Sequence, residues 1–212
     1  MILKSHDIFP TPILTGSNAL TKEQLDDIIE FVENLPNEHL GQHILFGSED
    51  KAKTTFWKTK DILSVIEDKI DSCKNIKKDL QRALESYVLN YGIRPCQISH
   101  SWAVKQKRGA RTAKHLHAMP AAVSGVLYIR KGFGGETVLS SPNPYIDLIP
   151  KKNEHSHISK NTSITKYTIS ISKIPANDGD FILFPALLHH ESLEHNHDDD
   201  RIVIAFNCEL KN

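Results

Sequence analysis

Two hydrophobic periods divide the chain. From Leu25 the apolar positions Ile28, Ile29, Val32 and Leu35 recur at helical spacing, and Pro36 ends the run. Thr21 and Gln24 stand ahead of it at capping-box spacing, so each side chain can serve the other's backbone N–H. A second amphipathic stretch covers about 61–72. A third runs through Ile76, Leu80, Ala83, Leu84, Tyr87, Val88 and Tyr91, and Gly92 follows where a left-handed cap belongs. Beyond Gly92 the period falls to two. Residues 97–104, 123–130, 166–174, 180–184 and 201–208 read as strands. The polar, proline-containing stretch 141–165 reads as a long loop. Helices followed by mostly antiparallel strands predict an α+β chain: a β-sandwich or jelly roll with helices on one outer face. No repeat interrupts this order, and 212 residues suit a single domain.

Composition narrows the classes of function. Lysine and arginine balance aspartate and glutamate at 26 each, which argues against a protein whose main task is gripping nucleic acid but leaves room for a local basic patch. No run approaches the ~20 apolar residues of a membrane helix. Asp7, Pro10 and Pro12 break up any apolar core of a signal peptide. Cys73, Cys96 and Cys208 are odd in number and far apart, and read as free thiols in a reducing compartment. A soluble, cytoplasmic protein is expected.

Histidine is the unusual component. There are twelve, and nine lie from His100 onward. On a strand, residues i and i+2 point the same way, so His115 and His117 can aim at one point. A late strand ending near His190 would lie beside them in a closed double-layered β structure. Two histidines plus a distant third offer three ligands on one face of a metal and leave the other face open, as in facial-triad iron sites. His155 with His157, and His195 with His197, share the spacing but sit in polar stretches, and are expected to be solvated loop residues. Lys105, Lys107, Arg108, Arg111 and Lys114 precede the pair and could draw in an anionic substrate or simply form a solvated loop.

The residues His115-Leu-His117, Ser124-Gly-Val-Leu-Tyr128, Gly134-Gly-Glu-Thr137, Gly179-Asp-Phe-Ile-Leu-Phe-Pro185, His190 and Arg201 through Phe206-Asn207 follow one another in a known order. In that order they resemble the Fe(II)- and 2-oxoglutarate-dependent oxygenases. The branch resembled is prolyl-hydroxylase-like, with an H-x-H…S-G-V-x-Y pattern found in bacterial and phage proteins. The resemblance covers roughly residues 97–208. It implies a double-stranded β-helix (jelly roll) core over 93–212, supported by a mostly helical part over 1–92. It implies His115, His117 and His190 as iron ligands, with His189 pointing away. It implies Arg201 as the clamp on the far carboxylate of 2-oxoglutarate, where a planar fork gives two parallel hydrogen bonds. Tyr128 would help hold that carboxylate, and Ser124 and Asn207 would project into the same pocket. The implied reaction hydroxylates a C–H bond of a small-molecule or peptidyl substrate with O2, releasing succinate and CO2.

Other readings stand beside these. Most of the family has a carboxylate where this chain has His117. Either His117 ligates iron itself, or Glu136 or a water completes the shell, or the metal or the activity differs. Imidazole suits iron, zinc, copper and nickel alike. Tyr128 also fits a core aromatic, Trp102 a core or pocket residue, Arg201 a surface partner of Asp198, Asp199 and Asp200, and Gly134-Gly135 a hairpin turn. A cupin-type three-histidine dioxygenase without 2-oxoglutarate, and a non-enzymatic jelly-roll binding module, are the rival classes. The first 92 residues could cover the sheet or form a homodimer surface.

Overall fold

The computed structural model describes residues 11–41, 51–143 and 171–211. His155, His157 and most of the 141–165 stretch lie outside the described residues, as does the start of the 166–174 strand. The architecture is mixed α/β with two antiparallel sheets. In chain order the elements are β1 (Leu14–Gly16), α1 (Lys22–Glu33), β2 (Ala52–Thr54), α2 (Ile62–Lys69), α3 (Ile76–Asn90), β3 (Cys96–Gln106), β4 (Thr112–His115), β5 (Ala121–Arg130), β6 (Thr137–Ser140), β7 (Ile171–Ile174), β8 (Phe181–Pro185), β9 (His190–Ser192) and β10 (Arg201–Leu210). The larger sheet runs β1-β8-β5-β10-β3-β2, and the smaller β4-β9-β6-β7.

The helices begin and end for local reasons. At Thr21 the capping box forms: the Gln24 N–H donates to Thr21 Oγ1 at 3.2 Å, and the Thr21 N–H donates to Gln24 Oε1 at 2.9 Å. Asp61 caps α2 and also ties it to the sheet. Its carboxylate accepts from Ser64 Oγ at 2.6 Å, from Ser101 Oγ on β3 at 2.7 Å, and from Lys77 Nζ. Burial alone would raise the Asp61 pKa, but the hydrogen bonds from Lys77, Ser64 and Ser101 outweigh it and hold the group at about 2. Past α3, Gly92 takes φ +65° and the Ile93 N–H closes back on Val88 O at 2.9 Å.

Both faces of the larger sheet are covered, and strand parity sorts the residues between them. Ile202, Ile204, Phe206 and Cys208 of β10 face one core with Ile28, Val32, Ile66, Leu84 and Tyr87 of the helices. Val203 of β10 faces a second core with Trp102, Tyr128, Ile182 and Phe184, joined by Leu139 and Ile174 of the smaller sheet. That double cover explains the nearly unbroken apolar runs of β5 and β10. Close packing shows at Gly125, where a Cβ would sit 2.2 Å from the Phe206 ring. The three cysteines are free and buried.

The first 92 residues carry the three helices and also add to the larger sheet. Two of their segments, β1 and β2, are strands of the larger sheet: β1 pairs with β8 and β2 with β3. Three-residue strands leave too short an alternation to stand out in a sequence. Among the described residues, no helix is long and apolar enough to cross a membrane.

Candidate metal centre

The three histidines meet because of strand register. β4 pairs with β9 so that His115 lies opposite His190. His117 falls just past the end of β4, where its N–H donates to Ala186 O at 2.8 Å. The two members of the pair therefore reach the site from a strand end and the loop after it, not from one continuous strand. Ring centroids are 4.2 Å apart for His115 and His190, 5.1 Å for His115 and His117, and 5.0 Å for His117 and His190. One ring nitrogen from each of the three lies within 4.8 Å of the others, a group able to hold a metal ion. Glu136 is not in this cluster; its carboxylate lies 3.9 Å from Lys131 Nζ. His189, beside His190, is exposed.

Hydrogen bonds decide which nitrogens are presented. His115 Nδ1 bonds Ala113 O at 2.8 Å, and His190 Nδ1 bonds Leu188 O at 2.9 Å. A carbonyl oxygen only accepts, so both rings carry a proton on Nδ1 and Nε2 is the nitrogen left as a candidate ligand atom. His117 Nδ1 lies 2.6 Å from Asn207 Oδ1 and 2.8 Å from Ser124 Oγ, and Ser124 Oγ donates to Asn207 Oδ1 at 2.9 Å. The same tautomer results. Burial, and then the neighbouring His115, push His190 down to about 3, so its imidazole stays neutral. Three oriented imidazoles are a donor set that suits a first-row transition metal, and backbone and side-chain acceptors behind them fix the rings as outer partners of metal-bound histidines do.

A cavity of about 440 Å³ opens beside them, lined by His115, His117, His190, Phe56, Trp102 and Arg201 among others. Trp102 fills both roles foreseen for it: it is 7% exposed and also forms cavity wall, edge-on to Phe56 at 5.0 Å. Phe56 lies in the first 92 residues, where no motif pointed to the site.

Arg201 is 2% exposed, which rules out the surface reading. The neighbouring acids are engaged elsewhere: Asp198 with Arg108 at 2.9 Å and Asp200 with Lys105 at 3.4 Å. These pairs also occupy two of the five cations of the 105–114 segment. Arg201 Nη1 donates to Gln106 Oε1 at 2.6 Å, while the buried Nε has no hydrogen-bond partner among the described residues. Burial lowers the Arg201 pKa, but a guanidinium remains charged at neutral pH. A buried charge with an unsatisfied donor fits an anionic ligand in the cavity.

Tyr128 is set back from that cavity. It is fully buried, and its hydroxyl donates to Thr137 Oγ1 at 2.6 Å. Thr137, not Tyr128, is at the wall. Burial raises the Tyr128 pKa, so the hydroxyl keeps its proton. Ser124 and Asn207 do line the cavity, with their polar atoms turned to His117. Gln106 and Thr137 were missed in the sequence. Gln106 carries no motif, and Thr137 was legible only as the last letter of Gly134-Gly-Glu-Thr137.

His195 overturns the expectation of a solvated loop residue. It is fully buried, and its Nε2 bonds Asp199 O at 2.7 Å. Glycines of positive φ at 132 and 134 admit it: a Cβ on Gly132 would stand 2.6 Å from His195 Cε1. His197 is exposed, as expected.

Solved structures share this architecture. A non-haem alpha-ketoglutarate-dependent epimerase, SnoN, from nogalamycin biosynthesis superposes with TM-score 0.64 at 12% identity, covering 94% of this chain and 79% of that one. A Pseudomonas putida prolyl-4-hydroxylase gives TM-score 0.57 at 12% identity, covering 95% and 94%. HygX from Streptomyces hygroscopicus, with nickel, 2-oxoglutarate and hygromycin B bound, gives 0.55 at 12%, covering 95% and 84%. At such identities the likeness is one of fold. Comparison with curated protein sequences finds no match. A family model described as "Putative 2OG-Fe(II) oxygenase" matches residues 100–207, from β3 to Asn207 and so through every residue of the histidine cluster. That span is more than half of the chain, and the chain belongs to the 2OG-Fe(II) oxygenase family.

Proposed function

We propose that this chain is an Fe(II)- and 2-oxoglutarate-dependent dioxygenase that hydroxylates a C–H bond, built as one domain over residues 1–212 on a double-stranded β-helix core. The observation that carries this reading is a pairing within one cavity. Three imidazoles with outward-bonded Nδ1 atoms converge on one side, and a buried arginine without a carboxylate partner among the described residues stands in the same wall. A metal cation and a carboxylate-bearing cosubstrate are the two ligands such a cavity fits.

In this assignment His115, His117 and His190 hold Fe(II) through Nε2. Arg201 holds the far carboxylate of 2-oxoglutarate. Thr137 and Tyr128 support that end, Tyr128 by fixing the Thr137 hydroxyl from behind. Ser124 and Asn207 orient His117. When bound, iron and 2-oxoglutarate together supply oxygen activation, with 2-oxoglutarate leaving as succinate and CO2. The chain's own contribution is placement and dryness. With His117 in place of the family's usual carboxylate, the protein adds no negative charge to the metal, so the positive charge of the site is one unit higher. Phe56 and Trp102 form an apolar wall on which an uncharged part of a small-molecule or peptidyl substrate can lie. The 105–114 segment and the 141–165 stretch are the proposed sources of further selectivity, and the first 92 residues a proposed homodimer surface.

The test is anaerobic. Fe(II) and then 2-oxoglutarate are added to the apo-protein, and the visible charge-transfer absorption of the chelate is followed. The reading expects a band that is lost in His115→Ala and in Arg201→Ala. Iron binding without a band, or a band of wild-type strength in Arg201→Ala, would overturn it.

A further inference from the structure

Gln106 ends β3, fully buried, and in the β10–β3 register it lies directly opposite Arg201. Its amide has one possible orientation. Arginine only donates, so Oε1 must face Nη1, at 2.6 Å. Nε2 then donates to Thr112 Oγ1 at 3.2 Å, which secures the other end. Across the arginine, Gly135 adopts φ +64°, and a Cβ there would come within 2.5 Å of Arg201 Cδ and 2.8 Å of Nε. An amide on one side and bare backbone on the other hold the side chain.

The choice of partner is the informative part. Four cations around this region have carboxylates: Lys105 has Asp200, Arg108 has Asp198, Arg130 has Glu33 and Lys131 has Glu136. Arg201 is the most deeply buried of these, where an uncompensated charge costs most. Yet its partner is neutral, and among the described residues no carboxylate lies within 4.0 Å of it. A Glu at this position would instead give the guanidinium a counter-ion.

Resting on the reading of the cavity given above, we propose that Gln106 is a positioning residue for cosubstrate binding: its neutral oxygen fixes the Arg201 fork while leaving the full positive charge for the far carboxylate of 2-oxoglutarate. A carboxylate at this position would fill the fork and cancel its charge. The amide therefore trades stability of the empty protein for affinity toward a dicarboxylate.

Two measurements on Gln106→Glu with inert Ni(II) test this, because the proposal gives them opposite signs. The melting temperature of the protein without 2-oxoglutarate should hold or rise, since a buried arginine gains a counter-ion. The calorimetric affinity for 2-oxoglutarate should fall at least about tenfold, with Ni(II) affinity unchanged. A purely structural glutamine would show no such split. A second variant, Gln106→Met, removes the holder without adding charge. It should raise KM for 2-oxoglutarate while leaving kcat within about twofold. Wild-type 2-oxoglutarate affinity in either variant overturns this inference alone. Failure of the unmodified protein to bind 2-oxoglutarate overturns the reading of the cavity, and this inference with it.

Discussion

His115 and His117 stand two residues apart, and so do His195 and His197, yet the two pairs end in different chemistry. The first pair converges, with ring centroids 5.1 Å apart and a third histidine beside both. The second pair diverges to 6.4 Å, one ring buried and the other exposed. Spacing does not separate them. The backbone does, through the nitrogen it takes. At His115 and His190 a carbonyl engages Nδ1 and leaves Nε2 as the candidate ligand atom. At His195 the Asp199 carbonyl engages Nε2 instead, and Nδ1 is buried under Gly132 without a hydrogen-bond partner among the described residues. One arrangement turns three ring nitrogens toward one point; the other encloses a single one.

The contrast breaks most sharply by deleting ligands. His190→Ala should reduce Ni(II) affinity by more than the ~10–100-fold that loss of an outer-shell partner costs. Isothermal titration under anaerobic conditions measures it, and wild-type affinity would refute the cluster as a metal site. Asn207→Ala comes next. It takes away the nearer of the two oxygens holding His117 Nδ1, so Ni(II) affinity should fall by about 10–100-fold while the fold persists. Were Asn207→Ala to bind Ni(II) as tightly as wild type, orientation of His117 would not matter to the site.

The sequence already showed the three helices, the long strands and the order of the chemistry-bearing residues. Amphipathic periods of several turns, a capping box and paired β-branched runs are local signals, and they survive folding. The short strands β1, β2 and β6 were invisible, because three or four residues carry too little alternation. At the site the gap was one of register. β4 and β9 are the strands that set His115 against His190; strands at these histidines were expected, but not their bounds or their register. Tyr128, Ser124 and Asn207 were found by motif, but their hydrogen-bond partners were not. Whether a hydroxyl meets the cavity or a neighbouring threonine depends on sheet geometry that no single segment encodes. Gln106 was silent for the same reason: it matters only because β10 places Arg201 opposite it. His195 was misread because glycine-lined space beneath the 132–135 turn is a tertiary feature.

The comparison sharpens when the same substitution is made in the second pair, where stability and metal binding should separate. His195→Ala removes a buried ring and strands the Asp199 carbonyl it serves. A loss of about 1–3 kcal/mol is expected, seen as a lower urea midpoint with unchanged slope. Ni(II) affinity should match wild type. A drop in metal affinity would mean that the buried histidine communicates with the cluster, against the geometry.

The smallest effect belongs to His197. Its ring accepts from the Asp199 N–H at 3.1 Å and lies 3.5 Å from the Asp199 carboxylate, but it does so in solvent, with its side chain 47% exposed. Exposed pairs of this kind contribute little, because water screens the charge and side-chain entropy opposes the fixed geometry. His197→Ala should therefore shift stability by no more than about 0.5 kcal/mol and leave Ni(II) binding untouched. Set beside His117→Ala, which shares its place as the second member of an H-x-H pair, this is the strictest control on the comparison. Equal effects of the two alanine substitutions on metal affinity would return the explanation to sequence spacing. Unequal effects locate it in the hydrogen bonds behind each ring.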